Sequence, residues 1–127
     1  MEIKEKYIKT FFGKLTTKEK QEIYFEQYMW HAFSYKKIKC IDGEDAINEF
    51  AKIEKNEVYI FLEHDDNIWE CKDITLKKLF ELLGGSEEIA YDCYVVDKDF
   101  KWTFITTHET MYNDGSYHNI GPFFKKL

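Results

Sequence analysis

Two apolar segments, residues 91–96 and residues 102–108, constrain the fold of this chain more than any other feature. Both segments are rich in β-branched and aromatic residues, and a short charged loop around residues 98–100 joins them. Such a pair of segments predicts an antiparallel hairpin at the centre of a sheet. If Asp97 lies opposite Trp102, the register also predicts these facing pairs: Val95 with Phe104, Cys93 with Thr106, and Tyr91 with His108.

A third strand is predicted at residues 57–63, where apolar side chains occupy both faces. Both sides of this strand should therefore be covered by other elements. A turn at residues 65–67 and an edge strand at residues 68–71 are expected to follow. Asp114-Gly115 suits the type I′ turn of a second hairpin. The rings of Phe123 and Phe124 are expected to hold the end of the chain against the body.

The first third of the chain predicts two helices and a short extended stretch. The first helix covers about residues 2–12 and ends at Gly13. Thr16 and Glu19 form the capping-box pattern T-x-x-E, which predicts a second helix that begins there. We expect this helix to run to about Tyr28, with Tyr24 among its inward-facing residues. Residues 30–35 are expected to be extended.

Two further helices complete the predicted fold. Asp42 is expected to cap the third helix, and Thr75 begins a fourth that ends at Gly84-Gly85. The chain is long enough to bury a core without disulfides or a structural metal. The patterns therefore predict one α+β domain over residues 1–127, with a mainly antiparallel sheet and a C-terminal hairpin packed against about four helices.

Charge narrows the classes of partner. The net charge is −6, with +4 on residues 1–39 and −10 on residues 40–127, and all 18 basic residues are lysine. An acidic body repels nucleic acid and anionic membranes, and the chain lacks the guanidinium fork that recognises phosphate in a bidentate manner. We therefore expect no nucleic-acid partner and no membrane partner. A basic protein is the partner class that this charge favours.

The cysteines and the N-terminal residues bear on the compartment. Cys40, Cys71 and Cys93 are odd in number and widely spaced, and no C-x-x-C occurs. This pattern predicts three reduced thiols in the cytoplasm. The first twelve residues carry frequent charges and lack the apolar region of a signal peptide, so no such peptide is expected.

The histidines do not show the spacing of a metal site. Neither H-x-x-x-H nor H-E-x-x-H occurs, so we predict no metal and no cofactor. His108 and Glu109 are neighbours on a strand, so their side chains point to opposite faces. Convergence of His108 with His118 remains an alternative, and Asp92 or Asp97 could then supply a carboxylate.

Polar residues beside aromatic residues at strand ends and in loops are the candidate ligand-binding residues. They are Trp30, His31, Asp97, Trp102, His108 and Glu109. We expect any site to lie where Trp30-His31 approaches the strand end at His108-Glu109. The competing interpretation is that the tryptophans are core rings and that Asp97 and Asp99 are turn residues. Under this interpretation His31 and His108 only form hydrogen bonds to backbone carbonyls.

Four segments resemble a known family. They are WHAFSY (residues 30–35), IDGEDAINEF (residues 41–50), YVVDKDFKWTFITTHE (residues 94–109) and GPFF (residues 121–124). Together they are similar to the bacterial family of domain of unknown function 4275, and the resemblance covers most of the chain from the second helix onward. It implies a bacterial, cytoplasmic protein and implies nothing about catalysis. Residues 110–120 depart from the family pattern, which is shorter there.

Two functions fit these observations. One is a non-enzymatic binding module for protein–protein interaction, such as a toxin-neutralising immunity protein, which is an analogy of size and charge. The alternative is a small hydrolase or metal-dependent enzyme that uses His31, His108 and Glu109. A pocket that unites these three side chains would favour the enzyme.

Overall fold

One antiparallel sheet of six strands organises the residues that the computed structural model describes, which are 2–54, 57–82, 92–108 and 121–127. The strands are β1 (Ile41–Asp42), β2 (Glu57–Leu62), β3 (Ile68–Lys72), β4 (Cys93–Asp97), β5 (Trp102–Thr106) and β6 (Phe123–Lys126). Their order across the sheet is β1-β6-β5-β4-β2-β3. The predicted β4–β5 hairpin is therefore confirmed as the centre of the sheet.

The register of this hairpin agrees with the prediction. Cys93 faces Thr106, and Val95 faces Phe104. All residues of β5 are buried, and in β4 only Asp97 is partly exposed. The predicted pair of Tyr91 with His108 lies outside the described residues.

Five helices occur within the described ranges, and they cover both faces of the sheet. They are α1 (Ile3–Phe12), α2 (Thr17–Glu22), α3 (His31–Ser34), α4 (Gly43–Lys52) and α5 (Leu76–Leu82). Together with the antiparallel β5–β6 pair near the C-terminus, they confirm the predicted α+β class. No helix in these ranges is long and apolar enough to cross a membrane.

Two cores lie on opposite faces of the sheet, as the pattern of β2 predicts. The core beneath α1 and α3 includes Tyr7, Phe12, Phe33, Phe61 and Tyr94. The core beneath α4 and α5 includes Phe50, Val58, Ile60, Leu79, Phe104 and Phe124. Phe123 and Phe124 point into different cores, so the predicted anchoring of the C-terminal rings is confirmed.

The second helix is shorter than predicted. Its capping box is present, with the Thr16 side chain accepting from the Glu19 amide, but α2 ends at Glu22. Tyr24 adopts a left-handed backbone (φ 56°) and is 64% exposed, so the predicted inward orientation is wrong. Ile23 and Phe25 are both buried, and a helix cannot direct residues two apart to one side. The left-handed turn at Tyr24 allows both to enter the core.

The prediction that residues 30–35 are extended is wrong, because this segment forms a helical turn. Trp30, Ala32 and Phe33 are all buried. A strand would send neighbouring side chains to opposite faces, whereas one helical turn places positions 30 and 33 on the same side. The segment therefore forms the four-residue helix α3.

The predicted third and fourth helices correspond to α4 and α5, and both begin as predicted, with one difference in capping. Asp42 occupies the N-cap position of α4, but its side chain makes no capping hydrogen bond. The Gly43 amide donates instead to the Pro122 carbonyl at 2.9 Å, which ties α4 to β6. Thr75 caps α5 by accepting from the Lys78 amide. The predicted helix end at residues 84–85 and the predicted turn at residues 114–115 lie outside the described residues.

The contact between α4 and the centre of the sheet should dominate one core. Phe50 stacks on Phe104 with ring centroids 4.1 Å apart, and both rings are fully buried. Phe50→Ala should lower the free energy of unfolding by about 3–5 kcal/mol, because it removes buried contacts and leaves a cavity. Urea denaturation measures this loss. Asn48→Ala, at an exposed position of the same helix, should change it by less than about 0.5 kcal/mol. A Phe50→Ala loss as small as that of the control would contradict the packing.

Candidate functional site

Two carboxylates lie side by side at one end of the sheet. Glu63 follows β2 and Asp92 precedes β4, and the Glu63 amide donates to the Asp92 carbonyl at 2.9 Å. Because β2 and β5 both run antiparallel to β4, their C-terminal ends meet the beginning of β4. His108 follows β5 by two residues and therefore reaches the same place. We call this region the strand-end site, formed by Glu63, Asp92, Tyr94 and His108.

Residues 28–31 are fixed onto the strand-end site by three hydrogen bonds. The Met29 amide donates to Glu63 Oε1 at 3.0 Å. The Trp30 amide donates to the Tyr94 hydroxyl at 3.1 Å, and the Trp30 indole Nε1 donates to Asp92 Oδ1 at 2.8 Å. We call residues 28–31 the clamp segment, because it joins the helical layer to two strands.

Asp92 is the point at which the clamp segment and β5 meet. In addition to the indole N–H, its Oδ1 accepts from the His108 amide at 3.1 Å and lies 3.0 Å from His108 Nδ1. The carboxylate can only accept, so His108 donates through Nδ1–H. This contact fixes the orientation of the imidazole ring.

A group of partly exposed rings surrounds Tyr28. Its ring centroid lies 5.3 Å from that of His31, 6.1 Å from that of His64 and 5.3 Å from that of His108. The buried Trp30 ring stacks beneath Tyr28 at 5.3 Å. Tyr35, 54% exposed, extends the group from the far side of His31. We call Tyr28, His31, Tyr35, His64 and His108 the imidazole patch.

Glu63 has an unusual environment for a carboxyl group. Burial raises its pKa from 4.5 to about 7, and the neighbouring Asp92 adds to the increase. Hydrogen bonds from Tyr94 and the Met29 amide, together with the Lys4 ammonium, oppose the increase only in part. A carboxyl group with such a pKa can be neutral or charged near pH 7, which is a common property of functional sites.

The structure brings together three of the six predicted site residues, which are Trp30, His31 and His108. Trp30 lies between the other two, with ring centroids 4.6 Å from His31 and 6.0 Å from His108. Their role in binding stays a prediction. Trp30 is also a buried core ring, and His31 bonds to the Ile23 carbonyl through Nδ1, so both residues also fit the competing interpretation.

The other three predicted residues are not part of this group. Trp102 is buried in the opposite core, where it stacks on Phe124 at 5.9 Å. Asp97 lies at the other end of β4 and accepts from the Phe100 amide through its carbonyl. Both therefore fit the alternative interpretation of core ring and turn residue. Glu109 lies outside the described residues.

Sequence reasoning missed five residues of the strand-end site and the imidazole patch, namely Tyr28, Tyr35, Glu63, His64 and Tyr94. The local signal was present, since Glu63-His64 directly follows a buried strand, where polar residues often serve a site. The missing information was the pairing of β2 with β4, which joins residues more than thirty positions apart.

Metal ligation and thiol chemistry receive no support from the described residues. Among them, no group of three or more His, Cys, Asp or Glu side chains could hold a metal ion. The three cysteines are free thiols. Burial raises the pKa of Cys93 to about 12, which makes it a poor nucleophile near pH 7.

Glu63 should make stability depend on pH. Its pKa is higher in the folded protein than in the unfolded chain, so its contribution is complete below about pH 4.5 and is lost as the pH rises through about 7. Relative to Glu63→Gln, the wild-type protein should lose about 3 kcal/mol of unfolding free energy between pH 4.5 and pH 8. Urea denaturation at several pH values measures this difference. Glu26→Gln, at an exposed position, is the control and should follow the wild type. Parallel pH profiles for wild type and Glu63→Gln would refute the burial of this carboxyl group.

Comparison with known proteins identifies the family. A family model described as a domain of unknown function (DUF4275) matches residues 1–124 of the 127-residue chain. No curated protein and no solved structure matches the chain. The family match spans the helical layer, the sheet and the strand-end site, and it confirms the resemblance of the four motif segments. The chain therefore belongs to the family of domain of unknown function 4275.

Proposed function

We propose that this protein is a non-enzymatic binding module and that the imidazole patch is the surface with which it contacts a partner protein. The observation that carries this proposal is the group of partly exposed rings fixed around Tyr28. Tyrosine and other amphipathic rings contribute strongly to protein interfaces, because they bury a large area and still offer polar atoms.

The rigidity of the patch supports this function. His108 is bonded to Asp92, and His31 is bonded to the Ile23 carbonyl. Tyr28 stacks on the buried Trp30 ring, and the hydrogen bond from the Trp30 indole to Asp92 holds that ring in place. Side chains that are already fixed lose less conformational entropy when a partner binds, so more of the contact energy appears as affinity.

Charge favours a basic protein as the partner. His64 is followed directly by Asp65 and Asp66, of which Asp66 is exposed, and the Asp92 carboxylate contacts His108 in the patch. The faces of the Tyr28 and Tyr35 rings can also attract cations. The same charge argues against nucleic acid and membrane as partners. As part of this proposal, the basic partner is a toxin that the protein neutralises in the bacterial cytoplasm.

A hydrolase is the second candidate, and one observation favours it. The Asp92–His108 pair orients the imidazole through Nδ1, as a carboxylate does for a histidine that acts as a general base. If this pair were catalytic, His108→Ala would abolish turnover of ester or phosphoester test substrates. We expect no turnover that depends on His108.

Photo-cross-linking tests the proposed interface. Replacement of Tyr35 by p-benzoylphenylalanine should give one cross-linked product with a basic protein in the host cell, because this position is exposed at the edge of the patch. Mass spectrometry identifies the product. The same replacement at Lys101, which is exposed at the opposite end of the β4–β5 hairpin, is the matched control and should give no such product.

The patch and the charge can then be tested separately with the captured protein. Tyr28→Ala should weaken its binding by at least about tenfold, as expected for a ring at the centre of an interface. Added salt should weaken binding further if the partner is basic. Equal cross-linking at positions 35 and 101, or unchanged affinity of Tyr28→Ala, would contradict the proposed interface.

A further inference from the structure

A second surface feature lies beside the patch and belongs to neither candidate function. It is a groove of about 800 Å³ between α1 and the chain around α2, and Glu63 forms part of its lining. Apolar lining comes from Ile8, Phe25 and Met29. The volume is in the range of small-molecule sites, which combine an apolar lining with a few polar groups.

The groove contains a strained and exposed aromatic residue. Tyr24 lines it with φ 56° and 64% of its surface exposed. A bulky residue in the left-handed region costs free energy, and such positions cluster at ligand sites. The burial of Ile23 and Phe25 explains the turn, but it does not explain why a tyrosine occupies the exposed position where glycine or asparagine would be less strained.

The cationic side chains of the groove lie beside its apolar lining. Lys4 and Lys20 line the groove together with two glutamates, so the lining has no net charge when Glu63 is ionised and a charge of about +1 when Glu63 is protonated. The Lys20 ammonium lies over the Phe25 ring, 5.1 Å from its centroid, so the charge stands next to apolar surface. Gln21 and Gln27 add amide groups that can donate hydrogen bonds. Glu26 and Glu63 are the acids of the lining.

We propose that this groove binds a small amphipathic carboxylate, with its apolar body against Phe25 and Met29 and its carboxylate near Lys20. Lysine presents a single point charge with rotatable donors, which suits one carboxylate head. When Glu63 is protonated, two lysines face one glutamate in the lining, which favours an anion over a cation. This inference does not depend on the imidazole patch or on its protein partner.

Glu63 then links binding to pH. A charged Glu63 repels a carboxylate, whereas a neutral Glu63 does not, so the bound anion favours the protonated form. The groups that face Glu63 are Lys4 and Tyr7 from α1 and the Met29 amide from the clamp segment. Tyr94 of β4 and Asp92, which precedes this strand, face it from the sheet. Of these, Lys4 is the cation, and its ammonium donates to the Glu63 and Asp65 carbonyls. We therefore expect affinity to fall as the pH rises through about 7.

Three probes of the same shape separate the possible ligand charges. They are 3-phenylpropionate, its neutral amide, and 3-phenylpropylamine. Each is titrated into the full chain, and the NMR signals of the Tyr24 and Phe25 backbone amides report binding. We expect the carboxylate to bind most tightly, with an affinity about tenfold lower at pH 8 than at pH 6. In Glu63→Gln the affinity should be the same at both pH values and close to the wild-type value at pH 6.

Matched lysine variants locate the charge that holds the carboxylate. Lys20→Ala should weaken binding at least about fivefold at every pH, whereas Lys18→Ala, on the same helix and exposed, should have no effect. Tighter binding of the amine, affinity that rises with pH, or no saturable binding of the carboxylate would overturn the proposal. An equal loss of affinity in Lys18→Ala and Lys20→Ala would mean that general surface charge attracts the probe. That result would also overturn the proposal. Because these variants leave Tyr28 and Tyr35 intact, their result is independent of the cross-linking experiment.

Discussion

The hydrogen bond from the Trp30 indole to Asp92 is the interaction on which the candidate site depends. It joins the helical layer to the beginning of β4, and the same carboxylate oxygen also holds His108. A buried indole N–H without a partner would cost about 1–3 kcal/mol, so the bond fixes the position of a ring that would otherwise be costly to bury. Tyr28 rests on this ring, and the imidazole patch is arranged around Tyr28. One carboxylate thus determines where the exposed rings lie.

The neighbouring carboxyl groups of Asp92 and Glu63 differ in their properties because their surroundings differ. Asp92 accepts from three N–H groups, and this places it in a structural role at the base of the patch. Glu63 is partly buried beside that acid, so its pKa is raised to about 7, and it forms part of the lining of the groove. The clamp segment contacts both groups, through Met29 and Trp30. The groove and the patch therefore lie on adjacent parts of one frame.

Local sequence patterns predicted the frame well and the site only in part. The β4–β5 register followed from two segments and a short loop, because loop length and side-chain alternation specify a hairpin. The approach of His31 to His108 was also anticipated from their positions beside strand ends. Tyr24 was placed incorrectly, because the need to bury Ile23 and Phe25 together overrides the helical tendency that the capping box begins. The Glu63–Asp92 pair depends on a strand pairing between distant segments, and no local pattern encodes it.

Hydrogen exchange at the Trp30 indole tests the central role of Asp92 most directly. The side-chain N–H of Trp30 should exchange slowly in the wild-type protein, since it is buried and bonded to a carboxylate. In Asp92→Ala it should exchange much faster, and the ring signals of Tyr28 and His108 should shift. In Asp97→Ala, a matched change at the other end of β4, exchange at Trp30 should remain slow. Rapid exchange in the wild-type protein, or unchanged Tyr28 and His108 signals in Asp92→Ala, would contradict the account.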